Sequence, residues 1–251
     1  MSQRDARLIA AILMLLWVVL LVVAFAVGQY NTEQTRRSHH LLQLSTSPLL
    51  FLVAVVLWLG GGLAAGAAVT GGMALSLVGD LVMGDHIRTP NSMVFGMLSF
   101  GAAHVCYIAA WLRIGRALGR PRRGAQVAAI LGMWAVGGAL WWLLVQTPQA
   151  ETVLNIGSLG YCLLLCGMAG VALALAIEHP RLAGIAVGAL LFVASDVILG
   201  NQVLREARWF LVGDMVWWTY IGGQALMVCT AGLAGVADGE PTEAAGVDTP
   251  G

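Results

Sequence analysis

Apolar runs separated by short polar stretches set the architecture of this chain. Residues 8–27 form one run of about 20 residues, the length a helix needs to cross roughly 30 Å of hydrocarbon, and Arg4 and Arg7 precede it. Polar residues from Gln29 to Ser47 make a first loop, in which the adjacent His39 and His40 read as solvated residues facing different ways. From Pro48 to Gly84 the chain is apolar for 37 residues with no charge except Asp80, just enough for two spans and a turn. The cluster Gly60, Gly61, Gly62, Gly66, Gly71 and Gly72 supplies the break, so a second span is predicted near 48–62 and a third near 68–84. Pro48 suits the first turn of that second helix. After a loop from Asp85 to Asn91, further spans are predicted at 92–112, 125–145, 153–177, 182–200 and 212–235. The expected fold is an all-α polytopic bundle of about eight transmembrane helices, over residues 1–236. An acidic tail rich in Gly, Pro and Ala, 237–251, is predicted to be disordered and cytoplasmic.

Composition fixes the class. With 59% hydrophobic and only 10% charged residues and a mean hydropathy of +0.84, the chain is far from the roughly one-quarter charge of soluble domains. Ala24, Phe25 and Ala26 imitate a signal-peptidase site, but the run is longer than a usual signal core and more spans follow, so an uncleaved first span is expected. All 13 basic residues are Arg, and seven lie at Arg36, Arg37 and between Arg113 and Arg123, which leaves no basic face for nucleic acid. Eight of the Arg fall on the N-terminal side of the bundle and five on the other, so both termini are predicted to be cytoplasmic. Cys106, Cys162, Cys166 and Cys229 all lie in apolar segments and read as small core residues rather than disulfides or a zinc site.

Asp80 breaks the apolar pattern, and a carboxylate at membrane depth costs roughly 2.5–3.5 kcal/mol on insertion scales and marks a functional site when a partner exists. Its counterpart is Asp196, 116 residues later, and each Asp follows a small residue and precedes three large apolar residues, a Gly, and an Asp or Asn. The third and seventh spans are four crossings apart and run in the same direction. Each Asp therefore sits at one depth, about 6 Å of helix rise before its closing Gly. This pattern admits two four-helix halves related in parallel. Spaced at helical intervals, Ser76 shares a face with Asp80 and can hydrogen-bond to it, His104 shares one with Tyr107, and Tyr220 shares one with Gln224. These pairs read as one interior polar pocket. A network that only joins helices is the structural alternative. Asp214, beside Trp217 and Trp218, is expected at the membrane interface.

Taken in order, Ser76-Leu-Val-Gly79-Asp80, Phe100-x-x-x-His104-x-x-Tyr107, Gly188-Ala-Leu-Leu-Phe192-x-x-Ser195-Asp196 and Tyr220-x-x-x-Gln224 resemble the successive motifs of the YhhN family of eight-span membrane proteins, from about residue 48 to 232. That family includes the mammalian lysoplasmalogenases. The resemblance implies hydrolysis of the vinyl ether of a lysoplasmalogen to a fatty aldehyde and a glycerophospho-alcohol. It also implies a lipid substrate drawn from the membrane, here expected to be a prokaryotic cell membrane. Asp80 and Asp196 are the expected catalytic pair, with Ser76, His104, Tyr107, Ser195, Tyr220 and Gln224 around the substrate. One position departs: the family often carries Lys before the Pro of its second span, where Ser47 stands, which bears on the headgroup or on the choice of lipid.

The chemistry fits the residues independently. A vinyl ether is cleaved by protonation at carbon, giving an oxocarbenium ion that water traps, and glycosidases meet a similar cation with two carboxyl groups. Two carboxyls sharing a low-dielectric pocket do not both ionise readily, so one stays protonated while the other is charged. Which Asp is the acid stays open at this point. No cofactor or metal is needed, although His104 with the two Asp offers a ligand set. A proton-coupled transporter, in which two intramembrane acids relay protons, and a lipid-binding protein without turnover are the competing classes.

Overall fold

The computed structural model describes residues 1–61, 65–119 and 122–234, and among these every regular element is helical. Helix α1 (Gln3–Val27) begins five residues earlier than the apolar run, because Ser2 caps it by accepting the Asp5 backbone N–H at 3.1 Å. Its buried residues Ala6, Ala10, Trp17 and Ala24 recur at helical spacing and face the bundle, while Leu8, Ile12, Leu15 and Val22 point outward. A short α2 (His40–Leu44) follows, so the second half of the first loop is helical rather than open. Helices α3 (Thr46–Gly61) and α4 (Gly66–Met83) match the second and third spans, with Gly62 of the predicted break outside the described residues.

Helix α5 (Ser92–Leu118) runs six residues past the predicted end and takes Arg113 and Arg116 into the helix. It stops at Gly119, whose φ of 96° lies in the region glycine favours. Helix α6 (Arg123–Leu140) ends in a π-turn, Trp141–Val145. The carbonyls this turn leaves open are met from α8, since Arg205 donates to the Leu143 and Gln146 oxygens at 2.7 and 2.6 Å, and Asn201 to the Leu144 oxygen at 2.5 Å. Arg205 is thus a helix cap as well as a loop charge. Helices α7 (Thr152–Glu178), α8 (Ala183–Leu204, after a single 3-10 turn Pro180–Leu182) and α9 (Val212–Ala234) complete the bundle. The predicted tail 237–251 lies outside the described residues.

Among the described residues, seven helical segments are long and apolar enough to cross a membrane. The eighth, α9, has 23 residues and is less apolar because Asp214, Tyr220 and Gln224 sit on it, yet it packs inside the bundle. Helix α1 packs on α3, α3 on α4 and α4 on α5; in the second half α6 packs on α7, α7 on α8 and α8 on α9. The halves meet through α5 with α7 and α3 with α9, so the neighbour pattern of one half is repeated in the other. Helices α8 and α9 come closest at Gly188 and Gly223, where a Cβ on either would lie 2.4–2.6 Å from the other's carbonyl oxygen.

Candidate functional site

Asp80 is almost fully buried, and its Oδ2 accepts two hydroxyls: one from Ser47 at the start of α3, and one from Tyr220 on α9 at 2.9 Å. Behind it, Tyr107 Oη donates to Gln224 Oε1 at 2.5 Å and Gln224 Nε2 donates to Ser76 Oγ at 2.8 Å, joining α5, α9 and α4. Ser76 is therefore held by Gln224 instead of by Asp80: helical spacing brought the two side chains to one face, but an amide from another helix took the hydroxyl. The Tyr107 ring lies flat on α4 over Gly72, where a Cβ would come within 2.6 Å of it.

Asp196 accepts the Tyr161 hydroxyl from α7. Since that proton points to the carboxylate, Tyr161 Oη is left as an acceptor, and His104 Nε2 lies 3.1 Å from it. The tautomer of His104 protonated on Nε2 would donate to that oxygen; its Nδ1 is buried and without a partner among the described residues. A second structural echo of the repeat appears here. Asp80 on α4 is held by a hydroxyl from the preceding long helix α3, and Asp196 on α8 by one from the preceding helix α7.

Both carboxyls line one cavity of about 440 Å³, together with Phe100, Trp217 and Tyr220. Phe100, Phe192 and Trp217 meet the Tyr220 ring edge-on at 5.0–5.7 Å and set its hydroxyl against Asp80. Ser195 also lines the cavity, while its own hydroxyl donates to the Val216 carbonyl at 2.9 Å and ties α8 to α9. His104, Tyr107, Ser76 and Gln224 stand one layer back, packed behind the lining residues. A narrow apolar groove between α5, α7 and α8 opens onto the same place, and Asp196, Phe100, Met83, Leu199 and Val203 line both spaces. Among the described residues no three His, Cys, Asp or Glu side chains converge as a metal-ligand set, so His104 does not join the two Asp in one.

Sequence reasoning passed over Tyr161 and weighed Ser47 only as a departure bearing on the headgroup or the choice of lipid, not as a partner of Asp80. Of the four tyrosines, three lie inside spans, and all three donate a hydroxyl into this network. A tyrosine in an apolar run was thus the available signal. Asp214, in the first turn of α9, is fully buried, and its carboxylate accepts the backbone N–H groups of Arg37 and Ser38 at 2.6 and 3.1 Å. It clamps the first loop onto the start of α9, because loop N–H groups packed into the bundle need an acceptor that water does not supply.

Fold and site together define an integral membrane protein of the helical-bundle class with a pair of carboxyl groups in an interior cavity. The chain belongs to the YhhN family, whose profile matches residues 38–231 and so begins about ten residues before the stretch over which the motifs suggested the resemblance. It is 34% identical over 150 residues to proteins named lysoplasmalogenase from Mycobacterium bovis and Mycobacterium tuberculosis. That match covers 57% of this chain and 51% of each relative, so the chain spans about half the length of the curated relatives it matches. No solved structure matches it.

Proposed function

We propose that this protein is a membrane hydrolase that cleaves the vinyl ether of a lysoplasmalogen-type lipid, with Asp80 and Asp196 as its acid/base pair. The observation that carries this reading is that the two carboxyls line one cavity and each is oriented by a hydroxyl from the preceding long helix. Their places divide the work. Asp196 lines both the apolar groove and the cavity, so it faces the chain carbon that must be protonated, whereas Asp80 faces only the cavity, where water is drawn from.

In the first step the π electrons of the vinyl ether take the Asp196 proton at the carbon one removed from the ether carbon. The ether oxygen lone pair then completes an oxocarbenium ion. Water attacks the cationic carbon while Asp80 takes a proton from it, giving a hemiacetal. The hemiacetal carbon–oxygen bond to glycerol then breaks as Asp80 returns its proton to the glycerol oxygen and the hemiacetal hydroxyl proton passes to Asp196, so a fatty aldehyde and a glycerophospho-alcohol leave and both carboxyls regain their starting protonation. One water is consumed, and nothing is oxidised or reduced. When Asp196 has given up its proton, the Tyr161 O–H and, behind it, the His104 N–H are oriented to stabilise the carboxylate. The Phe100 and Tyr220 rings, which line the cavity edge-on to each other, limit the water that reaches the cation.

Asn is nearly isosteric with Asp but cannot exchange the proton. Asp80→Asn and Asp196→Asn, each checked for folding by melting temperature, are expected to abolish aldehyde release from choline or ethanolamine lysoplasmalogens. Because members of one catalytic unit are not additive, the double variant should be little worse than either single one. A single Asn variant that keeps most of its activity rejects the paired mechanism. Wild-type protein that releases no aldehyde from either lipid rejects the substrate.

A further inference from the structure

The polar cavity has a second end that the bond-breaking chemistry does not use. Arg36, Glu33, His40 and Arg208 line it where the first loop and the loop before α9 meet. Arg208 pairs with Glu33, so those two charges cancel. The Arg36 guanidinium has no hydrogen-bond or ion-pair partner among the described residues, so one positive charge is left over at the mouth. Its position is built in. The Asp214 clamp on the Arg37 and Ser38 N–H groups holds the loop, and the Arg36 side chain crosses the start of α9 at Gly213, where a Cβ would lie 3.2 Å from Nε. His40 stands beside it, stacked on His86 at 5.6 Å.

We propose that Arg36, with His40 beside it, is the seat of the substrate's phosphodiester, which rests on the hydrolase reading given above. A lysophospholipid has three parts in fixed order: an anionic phosphodiester, a short glycerol, and a long apolar chain joined by the bond to be cut. The protein offers the matching order. An uncompensated Arg stands at the mouth, a cavity of about 440 Å³ with the two carboxyls follows, and the apolar groove continues from Asp196. That volume lies within the roughly 300–1,000 Å³ of small-molecule sites. One guanidinium answers one phosphodiester charge, and its planar donors suit two phosphate oxygens at once. With the phosphate at Arg36 and the chain in the groove, the vinyl ether comes to rest at Asp196.

The test is equilibrium binding to the full chain in nanodiscs, using the hexadecyl ether of glycerophosphocholine, which has the phosphate and chain but no vinyl ether to hydrolyse. Hexadecylglycerol lacks the phosphate, and glycerophosphocholine lacks the chain. Wild-type protein is expected to bind the phospholipid about 10-fold more tightly than hexadecylglycerol, equivalent to about 1.4 kcal/mol. Arg36→Gln should erase that preference while leaving hexadecylglycerol affinity unchanged, and Arg36→Lys should keep part of it. Glycerophosphocholine should bind far more weakly than the full lipid. An Arg36→Gln protein that keeps the preference overturns the proposal, and so does wild-type protein that binds glycerophosphocholine or inorganic phosphate as tightly as the lipid. Aldehyde release from a lysoplasmalogen, read on the same preparation, separates the two readings. Arg36-dependent binding without aldehyde overturns the hydrolase reading alone, whereas aldehyde release without Arg36 dependence overturns the phosphate seat alone.

Discussion

Tyr161→Phe removes one oxygen and leaves the ring that packs beside His104, so it isolates what the hydroxyl contributes. That hydroxyl is the one side-chain donor to Asp196 in the described structure, and it also lies 3.1 Å from His104 Nε2, whereas Asp80 has both Ser47 and Tyr220. A hydrogen bond to a charged group contributes about 1.5–3 kcal/mol. At 1.4 kcal/mol per factor of ten, losing it when Asp196 becomes a carboxylate should lower kcat roughly 10- to 100-fold. Tyr220→Phe leaves Ser47 on Asp80 and should cost less. The assay is aldehyde release under saturating lysoplasmalogen, with melting temperature as a check on folding. Because His104 reaches Asp196 only through Tyr161, His104→Ala should be milder than Tyr161→Phe and should add almost nothing to it. Full additivity of those two changes, or a Tyr161→Phe protein within about threefold of wild type at unchanged stability, refutes the reasoning.

Asp214→Ala strips the acceptor from two packed backbone N–H groups, each leaving a deficit of about 1–3 kcal/mol; the expected outcome is a lower melting temperature and faster hydrogen exchange at residues 35–38, and unchanged exchange there would contradict the clamp. Gly223→Val drives a side chain into the Gly188 carbonyl and should destabilise by about 1–3 kcal/mol in thermal melts, while Gly222→Ala, with nothing within 4 Å of its Cβ, should be silent. We propose that both termini are cytoplasmic, so reporter fusions at Gly124 and at the C-terminus should both report inside; a periplasmic signal from either refutes that orientation.

The spans were legible because a membrane leaves the backbone few choices: helices must satisfy their own polar groups, and apolar runs of the right length announce them. What lipid does not dictate was less legible. Helix α5 outruns its apolar run because Arg113 and Arg116, good helix formers, keep the backbone helical where the apolar pattern stops. The Arg37 and Ser38 N–H groups of the first loop are held by Asp214, 177 and 176 residues away, and no local pattern encodes such a partner. Asp80 and Asp196 stood out because charge in an apolar segment is costly, and the cavity brings them together. Tyr161 did not stand out, since a tyrosine ring is at home in a span and only its hydroxyl's direction gives it a role. Ser47 looked like the end of a loop, yet it stands in the first turn of the helix that delivers its hydroxyl to Asp80. Ser76 shows the limit of spacing arguments: proximity on one helix face permits a bond but does not decide which partner wins.

The most direct test of the account is hydrolysis of a lysoplasmalogen in deuterium oxide by purified protein, with the aldehyde examined by mass spectrometry. Protonation at carbon by an exchangeable Asp196 predicts aldehyde carrying one deuterium on the carbon next to the carbonyl, released by wild-type protein and by neither Asp80→Asn nor Asp196→Asn. Aldehyde without that deuterium, or labelled aldehyde from the Asp196→Asn protein at the wild-type rate, contradicts it.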